Sequence, residues 1–428
     1  MTPRTVVVAD RHPSSVSERS GGGSVVELLR TGSGSERLLW VSPCPEGGDA
    51  RLDLGRIVVC RAGVSAETHR SYYLSVGAAV LWPVLHGLEA EIAEDAVHGA
   101  AWIAYERVNR RVAETVAGAA EAGATVIVHD YTLLLSVPEI RRLRPDLRLL
   151  YVHHTPWPDQ RAVKDPLRRL LVRRLFAATA RADGVVVSSR MWRRNLRTWG
   201  ELAAVCVVHP GVDVAAVRAN AAAADPATGW RRLLRGEALQ RPVVALVGRA
   251  DPAKNADTLL RAWARLVARG ARGTLCIHQV PSSRRELGIY RAYGHAVAAA
   301  GAAAVAARPG CAVVRDSTDW RDAMWLLREA DVVVGCSRAD GWNLVVPEAA
   351  ALRPGRELVI SSRTGAADVF GRVARVVDDP EAPDALAAQL EAALSSRAAT
   401  PATVPVSPTP AEWWSRISEA AATVSARA

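Results

Sequence analysis

Lysine is nearly missing from this chain: Lys164 and Lys254 are the only two in 428 residues. Arginine supplies the rest of a basic surplus, 54 Lys+Arg against 44 Asp+Glu, for a formal charge of +10. The arginines are scattered along helix-like segments such as DPLRRLLVRRLF, without the aromatic interleaving of a nucleic-acid surface. They read as a solvated basic surface with sites for small anions, and no nucleic-acid partner is expected. A lysine that persists in such a sequence invites a specific reason, because a compact ammonium on a flexible stem meets a phosphate differently from a planar guanidinium. Long apolar runs are missing as well. None approaches the ~18 residues of a membrane span, and the start, MTPRTVVVAD, enters a strand-like run instead of a signal peptide, so a cytoplasmic protein without a membrane partner is expected. The six cysteines (Cys44, Cys60, Cys206, Cys276, Cys311, Cys336) form no CxxC pair, and several sit in Val/Ile-rich runs, which argues against disulfides and structural zinc. No GxGxxG occurs at the N-terminal glycine run, which argues against a dinucleotide oxidoreductase.

What is present reads as a large α/β protein. Hydrophobic residues make up 49% and charged residues 23%, a globular balance, and the length exceeds the roughly 250–300 residues at which one core stops growing. Strand candidates are TVVVA near Val7, RLLWV near Trp40, RIVVC near Val58, TVIVH near Ile127, RLLYVH near Tyr151, GVVVS near Val186 and AVCVV near Val207. Helices are expected over 71–94, 101–122 and 166–180. After an Ala/Arg-rich stretch at 221–241 the pattern restarts, with strand candidates near Ala245, Ile277, Val313, Val333, Val359 and Val376. Strands apolar on both faces, alternating with helices, mean parallel sheets covered by helices. The expectation is two Rossmann-like domains, over 1–220 and 221–409, with their sheets facing across a cleft. The Pro/Thr-rich stretch 395–412 reads as a linker, and EWWSRISEAA as part of a final amphipathic helix (410–428) packing back onto the first domain.

In open α/β sheets ligands bind beyond the carboxyl ends of the strands, so the chemistry is expected in those loops. VVALVGRADPAKN delivers Arg249, Asp251 and Lys254 between a strand and a helix start, a favourable place for a diphosphate; a simple surface Arg–Asp pair is the alternative. SRADGWNLVVPEAAAL sets Asp340 and a glycine before the amides of Trp342, Asn343, Leu344 and Val345, an expected anion cradle, with Glu348 one turn on for ribose hydroxyls. Asp340 and Glu348 as a capping box is the alternative there. VHDYTLLL and LLYVHHTPWP place His129, Asp130, Tyr131, His153 and His154 at two strand tips; no spacing matches a familiar metal site, so no metal is expected. ADRHP puts Arg11 just past the first strand, ahead of Gly21–Gly22–Gly23.

These pieces, in order, resemble the family 20 glycosyltransferases, the trehalose-6-phosphate synthase family: DRHP with GGG, SYYLSVGAAVLWP, VHDYTLL, HHTPWP, GRADPAK, PSSR, DGWNLVVPE and EWW. The resemblance implies a GT-B fold and a metal-independent, retaining transfer from a nucleotide sugar (UDP or GDP type) to a phosphorylated sugar, with no further cofactor. It implies that Arg249 and Lys254 hold the donor diphosphate and that Asp340, Trp342, Asn343, Leu344, Val345 and Glu348 form the donor loop. Gly22, Gly23 and His154 would lie near the donor, and Arg11, Tyr73, Trp82, Asp130 and Arg284 would form the acceptor pocket. Departures from the family pattern fall on recognition more than on the diphosphate clamp: Ser24 after the glycines, Trp342 for Met, Pro347 in the donor helix, and Asp251–Pro252–Ala253–Lys254–Asn255 for DYSKG. A branch similar to validoxylamine A 7′-phosphate synthase joins a nucleotide-activated cyclitol to an aminocyclitol phosphate; that pseudo-glycosyltransfer, in natural-product biosynthesis, is one alternative. HPGVD (residues 209–213), similar to the PNGVD turn of family 4 enzymes with unphosphorylated acceptors, is the other. The oligomeric state is not legible, and a homodimer is compatible.

Overall fold

A computed structural model of the chain describes residues 4–13, 32–46, 50–88, 92, 95–235, 240–396 and 405–425. Gly22 and Gly23 lie outside the described residues. The chain divides into two compact units, Met1–Gly211 with Pro410–Ala428, and Val212–Thr409.

The first unit is built on β1 (Thr5–Val8), β2 (Leu38–Pro45), β3 (Arg51–Asp53), β4 (Ile57–Val64), β5 (Thr125–His129), β6 (Arg148–His153), β7 (Gly184–Val187) and β8 (Val205–Val207). They form one sheet in the order β3-β4-β2-β1-β5-β6-β7-β8, parallel throughout except for the antiparallel β3–β4 pair. Val6, Val7, Val8, Val126 and Val128 are fully buried, as central strands covered on both faces require. Three-residue β3, with both ends exposed, carries no apolar run and was not expected. The helix expected over 71–94 is shorter and differently wound. A short α-helix, Ala66–Arg70, leads into a π-helix, Ser71–Leu81, and then Trp82–His86, where Gly87 at φ 66° closes it. Lacking a Cβ, Gly87 takes the left-handed C-cap conformation that ends a helix. The C-terminal helix Pro410–Ser425 belongs to this unit. Trp413, Trp414 and Ile417 join Val7, Trp40, Ile127 and Leu150 in its core, and the Trp414 indole donates to Glu36 Oε2 at 2.8 Å.

The second unit carries β9 (Val243–Arg249), β10 (Thr274–Val280), β11 (Ala312–Asp316), β12 (Val332–Gly335), β13 (Glu357–Ser361) and β14 (Arg375–Val377), all parallel, in the order β11-β10-β9-β12-β13-β14. Helices Ala256–Ala268, Gly288–Ala307 and Pro383–Ser395 cover one face, and Val214–Ala222, Trp320–Glu329 and Val345–Leu352 the other. The expected boundary after residue 220 is therefore corrected to 211: helix Val214–Ala222 buries Val217 and Ala221 in the second core beside Leu326 and Leu327. The order reverses between β9 and β12, the topological switch at which open sheets leave room for a ligand beyond the strand ends.

Many arginines serve this architecture. Arg144 donates to the carbonyls of Ala117, Ala120 and Glu121 at 2.9–3.2 Å, closing the end of helix Ala100–Ala119. Arg308 spans the carbonyls of Ala271 and Gly273, and buried Arg356 those of Leu327 and Arg328 at the end of Trp320–Glu329. A planar five-donor guanidinium satisfies several carbonyls at once and complements the negative helix end; an ammonium cannot match that reach.

Candidate functional site

The loops after β9 and β12 meet at the switch of the second unit. After β9, Asp251 caps the short 3-10 turn Pro252–Lys254 by accepting from the Ala253 amide at 3.0 Å. Asn255, at φ 63°, donates to the carbonyls of Cys336 and Pro380, and Arg338 donates to the Pro252 carbonyl at 2.6 Å while gripping Asp257 at 2.9 and 3.0 Å. These bonds latch one loop to the other and place Lys254 Nζ 2.5 Å from Asp340 Oδ2, where Ser337 Oγ also donates at 3.2 Å. The Lys254 stem runs past Gly248, where a Cβ would stand in ordinary contact, 3.4 Å from its side-chain carbons.

Arg249 pairs with Asp251 at 3.2 Å, so the Arg–Asp pair exists, but as more than a surface contact: the carboxylate is wholly buried while the Arg249 side chain stays 42% exposed. Arg284, itself buried, donates to the Tyr290 hydroxyl at 3.2 Å, and that hydroxyl donates to Asp251 Oδ2 at 3.1 Å. The expected four-amide cradle needs correction. Asp340 Oδ1 accepts from the amides of Trp342 (3.3 Å) and Asn343 (3.1 Å), the latter at φ 70°. Leu344 and Val345 remain, at the start of helix Val345–Leu352, where a first turn offers no intrahelical acceptor. Glu348 does not return to close a capping box. Its carboxyl makes no hydrogen bond or ion pair among the described residues, and burial pushes it up to about 8.

In the first unit the strand tips gather a second polar group. Asp10, past β1, accepts from Tyr72 at 2.7 Å, and Arg11 reaches the Tyr73 hydroxyl at 3.4 Å from the π-helix. Past β5, Asp130 adopts φ 65°, a backbone strain of order 1–3 kcal/mol for a residue with a Cβ, and accepts from Thr155 Oγ1 at 3.2 Å and the His154 amide at 3.4 Å. His154 Nε2 and His129 Nδ1 share a hydrogen bond of 2.9 Å. Burial holds His153 and His154 down to about 4 and His129 well below its ordinary value, so all three imidazoles are neutral near pH 7; the same burial raises Asp130. Trp82 packs on His86 (ring centres 3.7 Å apart) and lies 6.4 Å from the Tyr131 ring, beside Asp130. The candidates thus gather as Arg11 with Tyr73, and as Asp130, His154 and Trp82 around Tyr131. Among the described residues no group of three or more His, Cys, Asp or Glu side chains is placed to hold a metal ion.

The pattern of Glycosyltransferase family 20 matches residues 53–402. The chain belongs to that family. It is therefore a glycosyltransferase enzyme. Among its relatives, the trehalose-6-phosphate synthase of Mycobacterium avium (strain 104) is 29% identical over 342 residues, 71% of this chain and 68% of that protein. Its fold is similar to that of an α,α-trehalose-phosphate synthase (UDP-forming) from Burkholderia xenovorans solved with glucose-6-phosphate, at TM-score 0.81 and 17% identity, over 98% of this chain and 100% of that one. The trehalose-6-phosphate structure from E. coli bound with UDP-2-fluoro glucose aligns at TM-score 0.78 and 20% identity, covering 99% and 96%. The α/β architecture with two parallel-sheet units is the GT-B fold of these enzymes. Among the described residues no helix is long and apolar enough to cross a membrane.

Sequence reading missed four residues that hold the strand-end loops of the two units in place. Arg338, Thr155 and Tyr290 act through partners far off in the chain (Arg338 with Asp257, Thr155 with Asp130, Tyr290 with Asp251), which local spacing does not reveal, and Ser337 acts on Asp340 three residues on. The partial signal was the polar run following each strand.

Proposed function

We propose that the chain transfers a hexosyl group, with retention, from a nucleotide-activated sugar to a phosphorylated sugar, in the manner of a trehalose-6-phosphate synthase. The observation that carries this is Lys254 at the β9/β12 switch, bonded to Asp340 at the start of the loop into helix Val345–Leu352 and five residues past Arg249 at the end of β9, so that two cations and a helix start lie at strand ends suited to a diphosphate. UDP is the first choice of nucleotide, because structural neighbours are described as UDP-forming or were solved with a UDP sugar. GDP is the second.

In this reading Arg249, Lys254 and the Leu344 and Val345 amides meet the charge that develops on the departing diphosphate. Glu348, partnerless and protonated near neutrality, is suited to a ribose hydroxyl. Asp340 and His154 go to the donor sugar, and Asp130, Arg11, Tyr73, Trp82 and Arg284 to the phosphorylated acceptor. The departing phosphate oxygen takes the acceptor hydroxyl's proton as the new glycosidic bond forms on the same face, so no enzymic nucleophile is required. Positive side chains do the work a metal would do, and chelators should leave the rate unchanged.

The test is direct: incubate the protein with UDP-glucose or GDP-glucose and glucose 6-phosphate, and follow nucleotide release and disaccharide phosphate by chromatography. Lys254→Ala should lose at least 10²-fold in turnover, the scale of removing one stabilising group. Undiminished turnover in that variant, or dependence on an added divalent cation, defeats the assignment. A cyclitol-activated donor is the second reading, favoured by buried Trp342 in the donor loop where the family pattern has Met. It is supported if nucleotide is released only from such a donor.

A further inference from the structure

Two of the second unit's side chains, Arg249 and Tyr290, converge on the Asp251 carboxylate, and Arg284 joins them through the Tyr290 hydroxyl. Asp251 is 0% exposed, Tyr290 4% and Arg284 6%. Resting on the assignment of Arg249 to the donor diphosphate and Arg284 to the acceptor phosphate, we infer that Tyr290 is a positioning residue. Through Asp251 it ties both guanidiniums into one network and couples the binding of the two substrates.

Each bond in the network has only one direction. Arg249 Nη2 donates to Asp251 Oδ2 at 3.2 Å, and Asp251 Oδ1 is fixed by the Ala253 amide at 3.0 Å. The Tyr290 hydroxyl has a single proton, retained because burial and the neighbouring Asp251 charge raise its pKa. That proton goes to Asp251 Oδ2, 3.1 Å away, since a carboxylate can only accept, and leaves the phenol oxygen to accept from Arg284 Nη1 at 3.2 Å. A buried carboxylate demands such donors, and charge-assisted bonds of this kind are the strong ones.

A phosphate that draws Arg249 toward itself leaves Asp251 leaning harder on Tyr290. The phenol oxygen becomes a better acceptor, and Arg284 is held more firmly for the second anion. Ordering one guanidinium by occupying the other gives positive coupling without a change of fold. The ring of Tyr290 stands in the first turn of helix Gly288–Ala307, so the phenol is aimed by a rigid element and not by a loop.

The experiment measures uridine diphosphate binding by titration calorimetry with and without glucose 6-phosphate, alongside steady-state kinetics. In the unaltered protein glucose 6-phosphate should tighten uridine diphosphate binding about 3–10-fold. Tyr290→Phe keeps the ring and removes the hydroxyl. The coupling ratio should fall to about 1, and KM for the phosphorylated acceptor should rise about tenfold while kcat changes less than threefold. Asp251→Asn, nearly the same shape, should raise both KM values. Thermal melts of each variant separate misfolding from misplacement, since a merely structural role would lower the melting temperature without altering the coupling ratio. Arg284→Ala is the control for the underlying assignment. If it binds glucose 6-phosphate as well as the unaltered protein, Arg284 is not an acceptor group and the inference fails with it. If Arg284→Ala weakens binding but Tyr290→Phe keeps both coupling and KM, the anchor is overturned while the site assignment stands.

Discussion

Asp340→Asn is expected to tighten the binding of a nucleoside diphosphate and to slow transfer, two opposite effects from one substitution. Lys254 and Asp340 lie 2.5 Å apart with their side chains 21% and 16% exposed, so an arriving diphosphate must compete with the chain's own carboxylate for the ammonium. Unit charges centred ~4 Å apart attract by about 4 kcal/mol at an effective dielectric of ~20. Desolvation of both ends offsets most of this, leaving a net of about 1–2 kcal/mol. Asparagine removes that competitor and its repulsion of the ligand, yet keeps an oxygen for the Trp342 and Asn343 amides, so the loop keeps its shape. The dissociation constant for uridine diphosphate should fall about 5–30-fold, at about 1.4 kcal/mol per tenfold. Transfer should fall by about 10²–10³ because a donor-sugar contact goes with the charge. Calorimetry with uridine diphosphate, and initial rates with the full substrates, read the two effects separately. Unchanged or weaker diphosphate binding in an Asp340→Asn protein of normal melting temperature would refute the competition argued from the ion pair.

Acidification should destabilise both units. His153 and His278 are held to about 4 by burial, below the ordinary 6.5, so the unfolded chain binds more protons as pH falls through this window. Each therefore contributes about 3 kcal/mol of stability that is present above pH 6.5 and lost between about 6.5 and 4. Urea unfolding at pH 7.5, 6, 5 and 4.5 should show the midpoint dropping steadily, and a flat profile to pH 4.5 would contradict neutral burial of these rings. Arg356 carries a cation at neutral pH, although burial lowers it to about 9, and it serves carbonyls of Leu327, Arg328 and Arg353. Arg356→Leu should cost about 2–4 kcal/mol by stranding those acceptors, and Arg356→Lys should recover only part, because one ammonium cannot span them. Equal melting temperatures for the arginine and lysine forms would show that the guanidinium's shape does not matter there.

Among the described residues, local pattern was enough to read thirteen of the fourteen strands, because short Val/Ile/Leu-rich runs are a property of contiguous residues. It failed where the decisive partner lies elsewhere in the chain. DGWNLV announces a helix start, but which acceptor takes its amides depends on Asp340 folding back, with its other oxygen held by Lys254, 86 residues away. The expected open cradle is thus half filled, and the free chain carries its own stand-in for a ligand's negative charge. Residues 71–81 show the same limit in another form: an apolar, regular run predicts a helix, yet Gly77 lets the backbone pack where a Cβ would stand 3.3 Å from the Tyr72 carbonyl and 3.5 Å from Thr132. The segment is wound as a π-helix, a form that apolar periodicity does not distinguish from an α-helix. The scarcity of lysine has a physical counterpart in the fold. Arginine is spent on spanning the carbonyls at helix ends, a task of shape. In the proposed function the β9/β12 switch needs a cation that can swing from Asp340 to a phosphate, and a flexible ammonium is suited to that exchange where a latched guanidinium is not.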